Sequence, residues 1–195
     1  MYSSQSIKNN ILFTILNHNW SVFRLIDIAL LTGETDFQSL NKKLNYYVRT
    51  GKLLNPRRGI YTKHQYNPEE LACKIYTPSY MSLEYVLQKA GIIFQYDSRI
   101  TIVSYLSRVV KTDNREYCFR KIKEDVLFNN AGIEQIGGNI NIAGTERAFL
   151  DMIYFDKDYY FDNPESLNKE IIIELLPIYR SKKMEQKIKD IFGNG

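Results

Sequence analysis

Gln38, Lys42, Asn45 and Arg49 recur at steps of three and four residues, the spacing that gathers side chains on one face of an α-helix. Their types suit one task. Glutamine and asparagine amides bond adenine edges, lysine and arginine bond guanine edges and phosphates, and a helix carrying them fits a DNA major groove. Ser39 and Tyr46 flank the row. The same stretch carries Phe37, Leu40, Leu44, Tyr47 and Val48 on its other side, a face expected to be buried. After Gly51, which suits a left-handed cap, Leu53-Leu54-Asn55 reads as a strand, Pro56-Arg57-Arg58-Gly59 as a tight turn and Ile60-Tyr61-Thr62 as the returning strand. Arg57 and Arg58 then belong to a hairpin tip, where they would meet a neighbouring phosphate or minor groove.

Other residues invite other chemistries, and each falls short of what its chemistry needs. Asp156-Lys157-Asp158 has the look of paired carboxylates that hold Mg²⁺ in a nucleotidyltransferase. Such a site also needs an upstream Gly-Ser phosphate-binding turn, and the chain contains no Gly-Ser dipeptide. The triplet runs on into Tyr159-Tyr160-Phe161 and reads as a loop. Glu185-Gln186-Lys187 could be half of a nuclease pair, but it falls in a helical stretch rather than on a strand. His18 and His64 have no acidic partner in a shared motif. Gly132, Gly137 and Gly138 read as turn glycines and form no phosphate-binding loop. Cys73 and Cys118 lack metal-ligand spacing and suit reduced thiols in a cytoplasm. No catalytic residue, metal or cofactor is expected.

A helix, a turn and a hairpin need a body to hold them. Upstream, Ile7, Ile11, Leu12 and Ile15-Leu16 suit one amphipathic segment, and Val22 to Leu31 suits a second helix-like run. Thr32-Gly33-Glu34-Thr35-Asp36 links that run to the candidate helix. The order of helix, helix, short turn, helix and basic hairpin is the layout of a winged helix-turn-helix. Charge follows the same division: residues 1–65 hold nine Lys and Arg against three acidic residues, net +6, in a chain whose total is +4. Residues 66–195 are therefore net −2.

A chain of 195 residues with 44% hydrophobic content fits two domains, expected at 1–65 and 66–195. The second should open with a helix at Asn67-Pro68-Glu69-Glu70, where a capping Asn precedes Pro, and continue with a short helix from Ser82 to Ala90. From Ile100 the runs ITIVSYL, REYCFRKI, VLF, IEQI and INIA read as strands, with turns at Thr112-Asp113-Asn114 and Gly137-Gly138-Asn139. Helices return over Thr145–Ile153 and between Ser166 and Phe192. The expected fold class is thus α+β: an N-terminal winged helix-turn-helix, then a larger mixed domain with an antiparallel or mixed sheet. No apolar run approaches the roughly 20 residues that span a bilayer, and no secretory signal is visible.

The runs RTGKLLNPRRGIYTK, NPEELACKIYTPSYMSLEYVLQKAGII and INIAGTERAFLDMIYF resemble the AbiEi family of antitoxins from type IV toxin–antitoxin systems, bacterial regulators of abortive-infection operons. The resemblance covers roughly residues 20–155. It implies a cytoplasmic protein whose winged helix binds inverted repeats of double-stranded DNA in its own promoter and represses its operon. It also implies a C-terminal domain that counters a nucleotidyltransferase toxin, without implying a direct complex. On that resemblance the DNA-contacting role falls on Gln38, Lys42, Asn45 and Arg49, with Arg57 and Arg58 in the wing. A reading from another class is a protein-interaction module in which the same domain docks a protein and the 15 tyrosines contribute to the interface.

Overall fold

Asp36 starts the candidate helix by accepting hydrogen bonds from the N–H groups of Gln38 and Ser39, both at 3.0 Å, the task of an N-cap side chain. Its place in the fold comes from a computed structural model that describes residues 10–112 and 115–193. Ile7, Lys8 and the turn residues Asp113 and Asn114 lie outside the described residues. The described residues form two compact units, divided between Ile75 and Tyr76.

In the first unit the order is α1 (Ile11–Asn17), β1 (Val22–Arg24), α2 (Leu25–Thr32), α3 (Phe37–Arg49), β2 (Leu54–Arg57), β3 (Ile60–Thr62) and α4 (Pro68–Ile75). The strands form an antiparallel sheet in the order β1-β3-β2. Ile11, Ile15, Phe23, Ile28, Leu40, Leu44, Leu53 and Tyr61 fill the core beneath it. Gly33, at φ 68°, ends α2 in the left-handed conformation, which glycine adopts without strain. The expected helix over Val22–Leu31 is corrected here: its first three residues are β1, paired from Val22↔Thr62 to Arg24↔Ile60. An apolar run of that length cannot distinguish strand from helix by periodicity. What separates them is Asp27, which accepts from the Arg24 N–H at 2.9 Å and caps α2 at its start.

The boundary also moves. The expected join after residue 65 leaves out α4, which the structure assigns to the first unit. Glu70 accepts from the N–H groups of Ser21 and Val22 at 2.7 and 2.9 Å, and Lys74 donates to Asp27 at 3.0 Å. Both side chains are buried, so α4 completes the polar pairing of β1 and α2. With ten basic and five acidic residues, the first unit is still net +5, and the second is net −1.

Asp27 is expected to make this unit acid-sensitive. Burial alone would raise its carboxyl, but bonds from Arg24 and Lys74 outweigh burial and hold it below its ordinary 3.8. A depressed carboxylate stabilises the fold above the unfolded value, and that contribution is lost as pH falls through the lower folded value. Asp27→Asn is therefore expected to flatten the loss of stability below about pH 4. The readout is fluorescence of Trp20, the single tryptophan, over whose ring Lys74 lies at 4.3 Å. An unchanged acid limb in the variant would sink this account.

The second unit is built on a six-stranded mixed sheet in the order β6-β7-β5-β4-β9-β8. Its strands are β4 (Ser79–Met81), β5 (Ile100–Ser104), β6 (Arg108–Thr112), β7 (Arg115–Lys121), β8 (Ile133–Ile136) and β9 (Ile140–Ala143). β4–β9 and β5–β7 are parallel and the other pairs antiparallel. Helices α5 (Glu84–Lys89), α6 (Glu124–Leu127), α7 (Thr145–Phe155), α8 (Lys169–Leu175) and α9 (Lys182–Phe192) complete it. Leu83, Leu87, Val103, Phe149, Leu150, Ile153 and Ile172 share its core. The α+β class and mixed sheet agree with expectation. The VLF segment does not: Val126 and Leu127 are buried from a helical turn, α6, opened by the acidic pair Glu124 and Asp125. Among the described residues no helix is long and apolar enough to cross a membrane. Cys73 and Cys118 form no disulfide.

Buried at the centre of this unit is a polar network. Arg147 and Asp151, one turn apart on α7, are both fully buried, with Arg147 Nε 3.6 Å from Asp151 Oδ1. Arg147 donates to Val126 O at 2.8 Å, Ala131 O at 2.9 Å and Tyr80 OH at 3.2 Å. Asp151 accepts from Tyr179 OH at 2.6 Å, Ser82 Oγ at 2.7 Å and Tyr80 OH at 3.2 Å. Burial raises the Asp151 carboxyl above its ordinary value, against the downward pull of Arg147 and the three hydroxyls. The network ties β4, α6, α7 and the C-terminal Tyr179 together.

Candidate nucleic-acid interface

Leu40 and Leu44 are fully buried and fix the rotation of α3 about its axis. Gln38, Lys42, Asn45 and Arg49 consequently face solvent together, one turn apart along the helix. Two neighbours on the same helix are engaged elsewhere: Lys43 pairs with Glu34 at 3.1 Å, and Asn41 Oδ1 accepts the Tyr61 hydroxyl at 2.9 Å. The second bond links α3 to β3. Burial holds the Tyr61 phenol above its ordinary pKa, so it remains a donor there.

Ser39 is half-buried in the first turn. Tyr46 is 48% exposed and lies at the far end of the row. The Arg49 guanidinium stands 5.8 Å from its ring centroid and the Lys52 ammonium 6.0 Å, within the range of a cation–π contact. Lys52 did not stand out in the sequence, because it follows the helix and Gly51; only the turn brings it back over Tyr46. The result is a ring between two cations at the C-terminal end of α3.

The hairpin differs from expectation in a way that changes Arg57. Strand β2 runs to Arg57, which pairs with Ile60, so the turn is Arg58-Gly59 alone. The pairing is irregular between Leu54 and Arg57, where Pro56 has no N–H to donate. Asn55 Nδ2 compensates by donating to Arg57 O and Ile60 O at 2.8 and 2.6 Å. Gly59 takes φ 78°, and its carbonyl accepts the Leu25 N–H at 3.0 Å. The turn is thereby anchored to the start of α2. Arg58 is exposed at the turn, whereas Arg57 is half-buried within the strand.

A shallow groove of about 370 Å³ contains both arginines, together with Ile26 and Phe37. Phe37, expected in the core, is 44% exposed. It occupies the first turn of α3, ahead of the point where Leu40 enters the core, and packs along the groove instead. The arrangement therefore sets an exposed amide and cation row on α3, a ring with two cations at one end, and an arginine pair beside its other end. Chemically it can accept phosphates and bond base edges.

The other candidate groups are dispersed. Asp156, Lys157 and Asp158 are exposed beyond α7, with Asp158 N–H donating to Asp156 Oδ1 at 3.0 Å. Glu185 is exposed on α9, and Gln186 donates to Asp190 at 2.9 Å. His18 accepts from the Trp20 N–H at 3.0 Å, and His64 bonds Gly51 O at 2.8 Å. Among the described residues no group of three or more His, Cys, Asp and Glu side chains could hold a metal ion. Compared with known proteins, the chain matches no protein-family model, and no curated protein matches it significantly.

Proposed function

We propose that residues 1–75 are a winged helix-turn-helix that binds duplex DNA, with α3 as the recognition helix and the β2–β3 hairpin as the wing. The observation that carries this reading is the solvent-facing row of Gln38, Lys42, Asn45 and Arg49 on a helix whose rotation is fixed by buried Leu40 and Leu44. The order of elements and the net +5 of the unit support it. Taken with the resemblance to AbiEi antitoxins, the protein is a non-enzymatic cytoplasmic regulator that binds inverted repeats in its own promoter, represses its operon and counters a nucleotidyltransferase toxin. No direct toxin complex is required.

Salt dependence tests the reading. Each phosphate neutralised contributes a slope of about −0.9 in log affinity against log salt. Replacing both wing arginines, Arg57→Ala with Arg58→Ala, is expected to weaken binding to every duplex and to flatten that slope by about two units. If only Arg58 reaches a phosphate, the loss is about one unit and Arg58→Ala alone reproduces it. A slope left unchanged by the double substitution would take the wing off the DNA.

A second reading, docking of a protein by the same unit, is favoured by the exposure of Leu30 at 77%, Phe37 at 44% and Ile26 at 42%. Binding built on such apolar anchors is much less sensitive to salt.

A further inference from the structure

Two loops of the second unit hold each other in place. The N–H groups of Asp162 and Asn163 donate to Ile92 O at 3.0 and 3.1 Å, and the Phe94 N–H donates to Asp162 Oδ2 at 2.7 Å. Behind them Tyr159 lies 5.2 Å from Phe161, which in turn lies 4.6 Å from the core ring of Phe149. The pinned loops present three rings to solvent: Tyr96 at 79% exposure, Tyr160 at 78% and Phe94 at 70%. Tyrosine and phenylalanine are enriched where proteins meet, and rings held in advance lose little freedom on binding.

Beside these rings opens a cleft of about 350 Å³, lined by Glu84, Gln95, Tyr96, Asp97, Arg99 and Tyr159. Within it Arg99 is committed, donating to Asp97 through Nε at 2.9 Å and Nη2 at 2.6 Å. Glu84 forms no such bonded pair, although Arg99 feels its charge. Its Oε2 accepts no hydrogen bond from any protein donor but is closed off from solvent, so an incoming cation reaches only the remainder of this half-buried carboxylate and is drawn by its charge. Tyr159 registers the surrounding charge: burial first, then Glu84, Asp162, Asp156 and Asp97, raises its phenol above the ordinary value. Glu84 and the two loops bring five carboxylates, those four and Asp158, against the two cations Arg99 and Lys157. Such a surface repels phosphates and attracts a basic partner.

We propose that this surface docks a protein partner through a lysine or arginine side chain, which enters the cleft to meet Glu84 while Phe94, Tyr96 and Tyr160 cover the apolar surface around it. Tyr96 and Tyr159 supply ring faces to the incoming cation. The site lies within the second unit and does not depend on DNA binding by the first.

The test is a nuclear magnetic resonance titration of the isotope-labelled full chain with acetyl-arginine-amide and, separately, with uncharged acetyl-citrulline-amide. The arginine probe is expected to shift amides at Glu84, 92–99 and 156–163. Citrulline should bind about tenfold more weakly, as should arginine to the Glu84→Gln variant, the loss expected for one charge-assisted hydrogen bond. Tyr96→Ala with Tyr160→Ala should weaken the arginine probe while leaving the dispersion of the spectrum native. Equal responses to the two probes would overturn the proposal. So would an undiminished response in a folded Glu84→Gln variant. Concentration-dependent self-association of the chain that Glu84→Gln abolishes would also overturn it, because the occupant would then be a second copy.

Discussion

Arg147→Ala is expected to destabilise the second unit by about 3–5 kcal/mol, the cost of breaking a buried ion pair from one side. Arg147 and Asp151 are both 0% exposed, so no solvent screens the charge left behind. Truncation also removes the donor from Val126 O, Ala131 O and Tyr80 OH, and each orphaned acceptor adds to the loss. Replacing the pair together, Arg147→Met with Asp151→Leu, should cost less than the sum of the single changes, since no uncompensated charge remains. Urea unfolding followed by circular dichroism, with the single and double variants in parallel, gives both quantities. A loss below about 1 kcal/mol for Arg147→Ala would mean that the network is not a strut of this unit.

The second large effect belongs to α3. Asn45→Ala and Arg49→Ala each remove an exposed side chain from the proposed reading row without touching Leu40 or Leu44, so the fold should be unaffected. If these residues meet base edges, each change costs about 1–3 kcal/mol of preference for the specific site while non-specific binding falls much less. Lys42→Ala, by contrast, should weaken all duplexes alike if it meets a phosphate. Competition binding with specific and unrelated duplexes separates the outcomes. A uniform loss at Asn45 would remove it from direct readout.

What the sequence made legible follows from how local each signal is. Leu40 and Leu44 fixed the rotation of α3 because helical periodicity acts within a few residues, whereas Asp36, read only as part of the linker, proves to cap its start. Asn67 marked the start of α4, accepting the Glu69 N–H at 2.9 Å. The membership of α4 was hidden because Glu70 bonds residues 48 and 49 positions away. The same limit applies to Arg147 and Asp151: their four-residue spacing suits a helix face, but Tyr80, Ser82 and Tyr179 reach them from distant segments. β1 and α6 exchanged strand and helix relative to expectation because three or four apolar residues carry no usable period. Arg57 was misplaced by one turn position, since the Arg57↔Ile60 pairing decides where β2 stops. At the candidate interface the row on α3 was readable, whereas Lys52 over Tyr46 and Phe37 beside Arg58 required the folded hairpin.

The central claim is specific recognition of duplex DNA by the first unit. It is tested most directly by fluorescence anisotropy of the full chain with DNA from immediately upstream of its own gene, at two salt concentrations, against an unrelated duplex as competitor. The account predicts tight binding that resists the competitor and weakens with salt in proportion to the phosphates contacted. Equal displacement by the unrelated duplex, or binding indifferent to salt, would contradict it.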